Sequence, residues 1–314
     1  MQLETLSPSP KLELRSFSDI DEFRPVELLS ACRSIPTDMT KFAPIRAVVH
    51  LPQLSIVVQR SFPRLLDSMY QIAGSLILVP LDDKLSARVN GHEMDARSFI
   101  ALHGRTDCQI LENNSNQHAT LIFSETLKDR DWFNDRDKLV AKLAERSNLG
   151  SVRQALVTIL QVASKEPHLL KNQDFARQLQ EMLLLQVDIL FLECRPYGRF
   201  AQGDRAAQII RRLDEYVSTR PTAMLYSQEL ADECSVSART LNDVLRQVRG
   251  MSLHRYLRHG KLHALRRRLL KGGDGVTVSD CAKAYGFYHL GGLSMLYRAT
   301  FNELPSATLM RSRQ

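Results

Sequence analysis

Long apolar runs are missing from this 314-residue chain. The longest, Met182-Leu183-Leu184-Leu185 and Ile189-Leu190-Phe191-Leu192, are broken by Gln186 and Asp188, far short of the ~20 residues a membrane-spanning helix needs. The five cysteines, Cys32, Cys108, Cys194, Cys234 and Cys281, contain no Cys-x-x-Cys pair. They read as free buried thiols of a reducing cytoplasm, not as bridges or metal ligands. No Gly-x-Ser-x-Gly, phosphate-binding loop or Gly-x-Gly-x-x-Gly fingerprint occurs, which removes the commonest enzyme signatures. The first residues, with Glu4 and early prolines, lack the apolar core of a secretory signal. What remains, at 44% apolar and 25% charged, is an ordinary globular composition long enough for two domains.

Charge is distributed unevenly. From Arg205 onward there are 18 Lys and Arg against 9 Asp and Glu, a net of +9, while the residues before it carry a net of −2. Basicity gathered in one half suits a domain that sits on phosphates.

That half contains two units with the grammar of a helix-turn-helix. In the first, Ser227 is placed to cap a helix whose inward face is Leu230, Ala231 and Cys234. Ser235-Val236-Ser237 then turns the chain, and Leu241, Val244 and Leu245 recur at helical spacing. In the second, Thr277 and Asp280 stand as a capping box with Asp in place of Glu or Gln, Ala282 takes the place of Ala231, and Gly286 turns the chain before Phe287. One such match arises often by chance; two in tandem are far more specific. Between them Ser252 to Leu270 reads as one long helix with Leu253, Leu257, Leu265 and Leu269 on one face. A rigid connector would set two reading helices ~34 Å apart, in successive major-groove turns.

Ser235-Val236-Ser237, Arg239-Thr240-Leu241, Gly250, Ser252, Tyr256-Leu257, Lys261-Leu262, Ala264, Gly286-Phe287, His289-Leu290-Gly291, Tyr297, Phe301 and Pro305-Ser306 resemble the double helix-turn-helix domain of AraC/XylS-type bacterial transcription regulators, over roughly residues 206–312. The Gly-Phe-x-His-Leu-Gly run followed by Glu303, Pro305, Ser306, Thr308 and Leu309 is similar to the branch containing the ethanolamine-operon regulator. Leu245 and Leu293 replace a usual Phe, and Met295 a frequent Arg. The resemblance implies base contacts by Arg239, Asn242 and Asp243, with Asp243 either accepting from cytosine or orienting Arg239 or Arg246. The second reading helix exposes His289, Leu290, Gly291, Gly292 and Met295, a face poor in hydrogen-bonding groups that would dock through backbone, shape and thymine-methyl contacts. Arg246, Arg298 and the helix starts at Ser227 and Thr277 are placed for phosphates. Arg266-Arg267-Arg268 reads first as a solvated charge run and second as a phosphate clamp.

Before the basic half, a short amphipathic helix is expected around Phe23 to Ala31. From Ile45 the texture is of short strands: 46–51, 54–58, 75–79, 85–89, 98–102, 108–111 and 119–123, with Asn90-Gly91 as a tight hairpin turn. They suggest a small antiparallel barrel or sandwich, similar to the cupin-like effector domain of many AraC-type proteins. His92, Glu93 and the lone His103 lack the ligand spacing of a metal cupin, so no metal and no cofactor is expected. Met69, Arg88, Phe99 and His103 are the candidates for lining a sensor pocket. Helical spacing then runs from Arg136 to about Cys194, where Phe175, Leu179, Met182, Leu183, Gln186, Val187 and Leu190 form a stripe that either packs on the barrel or pairs two subunits.

The fold expected is α+β: a sensor domain over 1–194 (barrel about 41–125, helical segment about 136–194), a linker at 195–205, and an all-α double helix-turn-helix domain over 206–314. The resemblance implies a cytoplasmic, ligand-responsive transcription regulator, an activator in preference to a repressor. Its partners would be double-stranded DNA, RNA polymerase, a small-molecule effector such as an amine, and a second copy in a homodimer. A cupin-type enzyme with an appended DNA-binding domain, and a constitutive DNA-binding protein with an inert N-terminal domain, are the competing readings; the missing metal cluster and fingerprints favour a protein that is not an enzyme.

Overall fold

Alternation of apolar and polar side chains from Glu13 to Leu143 becomes one curled antiparallel sheet. The computed structural model describes residues 3–23, 29–40, 42–82, 85–127, 129–130, 132, 139–144, 146–196 and 205–312. The strands are β1 (Glu13–Ser16), β2 (Leu29–Pro36), β3 (Ile45–Leu51), β4 (Leu54–Arg60), β5 (Arg64–Pro80), β6 (Ala87–Val89), β7 (His92–Met94), β8 (Ser98–Glu112), β9 (Gln117–Phe123), β10 (Leu139–Leu143) and β11 (Arg195–Pro196). Their order is β1-β3-β4-β9-β5-β8-β10-β11, with β2 also on β5 and the β6–β7 hairpin on β8.

The long strand β5 organises the curl. Its first half pairs with β2 and its second with β9, while β8 accompanies both halves. The changeover lies at the register shift between Gln71 and Ser75, where a bulge lets one strand bend between two partners. The result is a half-barrel in an α+β chain, as the strand texture implied. Asn90 (φ 49°) and Gly91 (φ 85°) form the β6–β7 turn, both with the positive φ that a two-residue hairpin turn of this hand requires.

One face of the sheet, with Val49, Ile56, Ile77, Phe99 and Leu121, is covered by α1 (Arg146–Lys165) and α2 (Gln173–Glu193) through Leu156, Ile159, Leu183 and Val187. Packing on the sheet therefore accounts for the helical stripe without a second subunit; Leu185 and Leu192 stay exposed.

Two expected helices are strands instead. Leu139 to Leu143 pairs with Leu102 to Ser98 of β8 rather than opening the helical segment, which starts at Arg146. Leu29 to Ala31 belongs to β2, on the free edge of β5. Runs this short satisfy either period, and an unpaired strand edge nearby decides. Residues 24–28 and 133–138, and 197–204 of the expected linker, lie outside the described residues.

The C-terminal helices are α3 (Arg205–Ser218), α4 (Ser227–Glu233), α5 (Ala238–Arg249), α6 (Leu253–Lys271), α7 (Val278–Ala284), α8 (Leu290–Phe301) and α9 (Pro305–Arg311). They enclose two cores. Ile210, Leu213, Leu230, Leu241 and Leu245 fill the first, joined by Ile35, Leu65 and Leu111 from the sheet. Leu265, Leu269, Ala282, Leu293, Tyr297 and Phe301 fill the second.

Cys108, Cys234 and Cys281 are buried free thiols and Cys194 is half-buried; the Cys32 side chain lies outside the described residues. Burial, then Asp67 and Asp107, pushes the Cys108 thiol up to about 12, which makes it inert. Among the described residues no helix is long and apolar enough to cross a membrane.

The connector α6 carries a pH-sensitive position. His259 is 8% exposed and its Nδ1 has no hydrogen-bond partner among the described residues. Burial, then Arg255 and Arg258, pushes its pKa down from 6.5 to about 4. The unfolded chain therefore takes up a proton between pH 6.5 and 4 that the folded chain refuses, and stability falls across that window by at most about 3 kcal/mol. Urea titrations at stepped pH should show that loss in the native protein and a flatter curve in His259→Gln; identical curves would refute it.

Candidate nucleic-acid interface

Each helix-turn-helix unit is built by local rules. In the first, Ser235 takes a left-handed conformation (φ 55°) at the turn, and the Val236 amide donates to Ala231 O at 3.0 Å. Ser237 Oγ caps α5 by accepting from the Thr240 amide at 3.1 Å. The cap of α4 differs from expectation: Tyr226 occupies the N-cap and Ser227 is the first helical residue, exposed, with no side-chain cap. Ala231 is fully buried, as close helix crossing requires. In the second unit Thr277 caps α7, accepting from the Asp280 amide at 3.1 Å while its hydroxyl donates to Asp280 Oδ2 at 2.7 Å. Aspartate thus meets the Thr277 hydroxyl, whereas the longer Glu or Gln of a full capping box would reach the N-cap amide. Gly286 (φ 81°) turns the chain, and the Phe287 amide donates to Ala282 O at 2.8 Å.

The outward face of α5 carries Arg239, Asp243 and Arg246. The Arg239 side chain is 94% exposed, and its Nε stands 4.0 Å from Asp243 Oδ2, an ion-pair distance beyond hydrogen-bond length. Asn242 is half-buried, and its Oδ1 accepts from the Leu253 amide at 3.1 Å. It ties the end of the first unit to the start of α6, so its oxygen is engaged in the fold. On α8, His289, Leu290, Gly291, Met295 and Arg298 are exposed and Gly292 is half-buried. Tyr288, one residue before the N-cap and 73% exposed, extends this face and escaped the sequence reading, because a lone aromatic in a turn reads equally well as core.

Residues 230–311 match the profile of a helix-turn-helix domain family. The XylDLEGF operon transcriptional activator 1 of Pseudomonas putida is 25% identical over 204 residues, 62% of this chain and 57% of that protein. The transcriptional activator RhaS of Pectobacterium atrosepticum is 37% identical over 87 residues, 26% of this chain and 30% of that protein. A solved probable AraC family transcriptional regulator from Rhodopseudomonas palustris is 27% identical and covers 34% of this chain and 98% of its own, with a TM-score of 0.32. Residues 230–311 form an AraC-type helix-turn-helix domain. The chain spans 57% of the first of these curated relatives and 30% of the second; the likeness to the ethanolamine branch rests on the motif residues alone.

The sheet domain grips the AraC-type domain at Arg249 and Arg311, which carry no sequence signal, and at Arg88 and Arg266, which the sequence assigned to a pocket and to a charge run. Arg249, at the end of α5, is 1% exposed and pairs with Asp67 of β5 and, at 2.8 Å, with Asp214 of α3. Gly250 (φ 66°) ends α5, and a side chain there would meet Leu111 of β8 at 2.7 Å. Arg88 donates to the carbonyls of Arg246 and Gln247 at 3.2 and 3.4 Å. Within the Arg266-Arg267-Arg268 run only Arg267 is exposed. Arg266 is a buried side chain held by both Asp21 oxygens at 2.8 Å and by Glu303 at 3.2 Å, while Arg311 pairs with Asp19 and Glu303. The solvated-run expectation thus holds for one arginine in three; no sequence pattern pairs residues 245 positions apart.

A cavity of about 120 Å³ opens on the sheet face away from α1 and α2, walled by Tyr70, Leu76, Leu78, Val89, Met94 and Ile100. Its polar end holds Arg46, Gln59, Arg64, Glu112 and His118. None of the four expected pocket residues lines it. Phe99 is buried on the opposite face against Phe191, centroids 5.2 Å apart. Met69 accepts from Arg105 Nη2 at 3.4 Å, Arg88 reaches α5, and His103 Nδ1 lies 2.6 Å from Ser75 Oγ. Each alternates with a neighbour that does line the cavity or its apolar cluster: Ile100, Tyr70, Val89 and Leu102. Side-chain alternation fixes parity but not which parity faces inward. Among the described residues no group of three or more His, Cys, Asp or Glu could hold a metal ion.

Proposed function

We propose that this chain is a sequence-specific, ligand-responsive DNA-binding transcription regulator acting in the cytoplasm, and an activator, as the XylDLEGF operon activator and RhaS are named. The observation that carries this reading is the pair of capped helix-turn-helix units whose reading helices, α5 and α8, both keep their outward faces free. Arg239, oriented by Asp243, would fork onto a guanine edge. Arg246, Arg298 and the helix starts at Ser227 and Thr277 would hold phosphates. Leu290, Met295 and the open glycine face at Gly291, where an added side chain would meet nothing, would let α8 lie close to thymine methyls and the groove floor. RNA polymerase is the partner an activator requires, and the sheet domain would sense the effector.

Gel-shift and footprinting titrations test this. Arg239→Ala is expected to weaken the cognate site by about 1–3 kcal/mol while leaving binding to random duplex nearly unchanged. A uniform loss on both duplexes would make Arg239 a phosphate contact, and absence of duplex binding at low salt by the native chain would end the regulator reading.

A further inference from the structure

Outside the two reading helices, one exposed arginine is held in place without a carboxylate. Arg220 lies in the turn between α3 and α4. Its amide donates to Val217 O at 3.1 Å and its carbonyl accepts from the Ala223 amide at 3.2 Å, so the backbone is fixed on both sides. The guanidinium lies over the Tyr216 ring, Cζ 3.9 Å from the centroid. Nη1 donates to Tyr216 O at 3.4 Å and to Thr219 Oγ1 at 3.0 Å. Tyr216 is fixed in turn, because its hydroxyl donates to Oε1 of Glu229, in the first turn of α4, at 2.6 Å. Holding an exposed arginine still costs rotamer freedom, and among the described residues no ion pair offsets that cost. With both Nη1 protons engaged, the Nε and Nη2 edge remains, and no acceptor among the described residues meets it.

We propose that Arg220 is a phosphate contact of the AraC-type domain, its Nε and Nη2 donors forked onto one backbone phosphate beside the first helix-turn-helix unit, with Tyr216 and Glu229 as its positioning residues. This inference rests on the reading of the chain as a DNA-binding regulator. The side-on edge of a guanidinium matches two oxygens of a single phosphate. In a helix-turn-helix the first helix crosses the DNA backbone while the second enters the groove, and Tyr216 ties Arg220 to the start of that first helix, α4. The Glu229 carboxylate alone would repel a phosphate there. One of its oxygens is taken by the Tyr216 hydroxyl, and Arg220 sets a positive charge on the same ring. The net of +9 carried by this half suits a duplex, which meets many cations at once, better than an acidic protein segment, which would meet few. Such a contact positions the first unit without reading sequence. The Nη1 bond to Tyr216 O also closes the last turn of α3, so a role in stability alone is the competing account.

Binding of the full chain to a random-sequence duplex and to its footprinted site, each titrated at stepped salt, tests this. In Arg220→Ala the slope of log affinity against log salt should be shallower by about 0.9, and affinity at about 0.1 M salt should fall roughly tenfold on both duplexes alike. Arg220→Lys should keep the native slope, since the charge remains, while binding both duplexes a few-fold more weakly for want of the fork. Tyr216→Leu, which leaves the arginine but removes its support, should also keep the slope and weaken both. If Arg220→Ala lowers Tm while slope and affinity stay native, Arg220 is a cap of α3 and the proposal is overturned. A loss confined to the footprinted site, or a slope that becomes equally shallow in Arg220→Lys, overturns it too. A native chain that binds neither duplex would sink the regulator reading along with this contact; a native chain that binds, beside an Arg220→Ala variant of native slope, would sink this contact alone.

Discussion

Arg249→Met is expected to lower the unfolding free energy by about 3–5 kcal/mol. The guanidinium is 1% exposed, and its two carboxylate partners, Asp67 and Asp214, are 21% and 17% exposed. Methionine keeps the length of the side chain, so little packing is lost. What remains is two mostly desolvated carboxylates that have lost their shared guanidinium, with the Tyr256 hydroxyl still donating to Asp214. Removing one member of a buried charged cluster costs far more than the cluster contributes, because the others stay buried without a counter-charge. Asp67→Asn in the Arg249→Met background should therefore recover part of the loss. Urea denaturation followed at the lone tryptophan, Trp132, and by helical circular dichroism reads both quantities. An unchanged midpoint in Arg249→Met would show that the sheet and the AraC-type domain are not held together through this residue.

Glu112→Leu is expected to cost a similar amount, about 3–5 kcal/mol, by stranding Arg64, which is 4% exposed. The double variant Arg64→Met with Glu112→Leu should lose much less, since an apolar pair of similar volume removes both charges together. The pH dependence has a definite sign. Burial alone would raise the Glu112 pKa, but the Arg64 charge, then His118 and the hydrogen bonds from Ser61 and Arg64, outweigh it and hold the carboxyl below its ordinary value of 4.5. A depressed folded-state pKa means the stabilisation is complete above 4.5 and is lost as pH falls through the lower folded value. Acid titration of the native protein should show that loss, and the double variant should lack it. A double variant as unstable as Glu112→Leu alone would indicate that the cost lies in packing instead of charge.

Much of the reading face was legible in the residues. Caps, turn residues and the inward positions of α5 depend on neighbours three or four places apart, and Ser237, Thr277, Gly286, Leu241 and Leu245 sit where that local grammar put them. Legibility ended where one residue of phase or one strand edge decided. The cavity residues were missed because Phe99 and Ile100 are equally apolar, and only the position of α1 and α2 determines which of them faces a helix. Leu139 to Leu143 was read as helix because β8 offers it an edge that no local signal announces.

By itself, then, the sequence determined the two helix-turn-helix units, their basic setting and the strand-rich half before them, because each follows from periodicity and caps within a few residues. Only the tertiary structure decided which strand face encloses the cavity, and that Arg249 and Arg266 hold the sheet domain instead of standing in solvent. Those outcomes depend on partners 182 and 245 residues away, and a charge carries no mark of whether its counter-charge will arrive from water or from a distant strand.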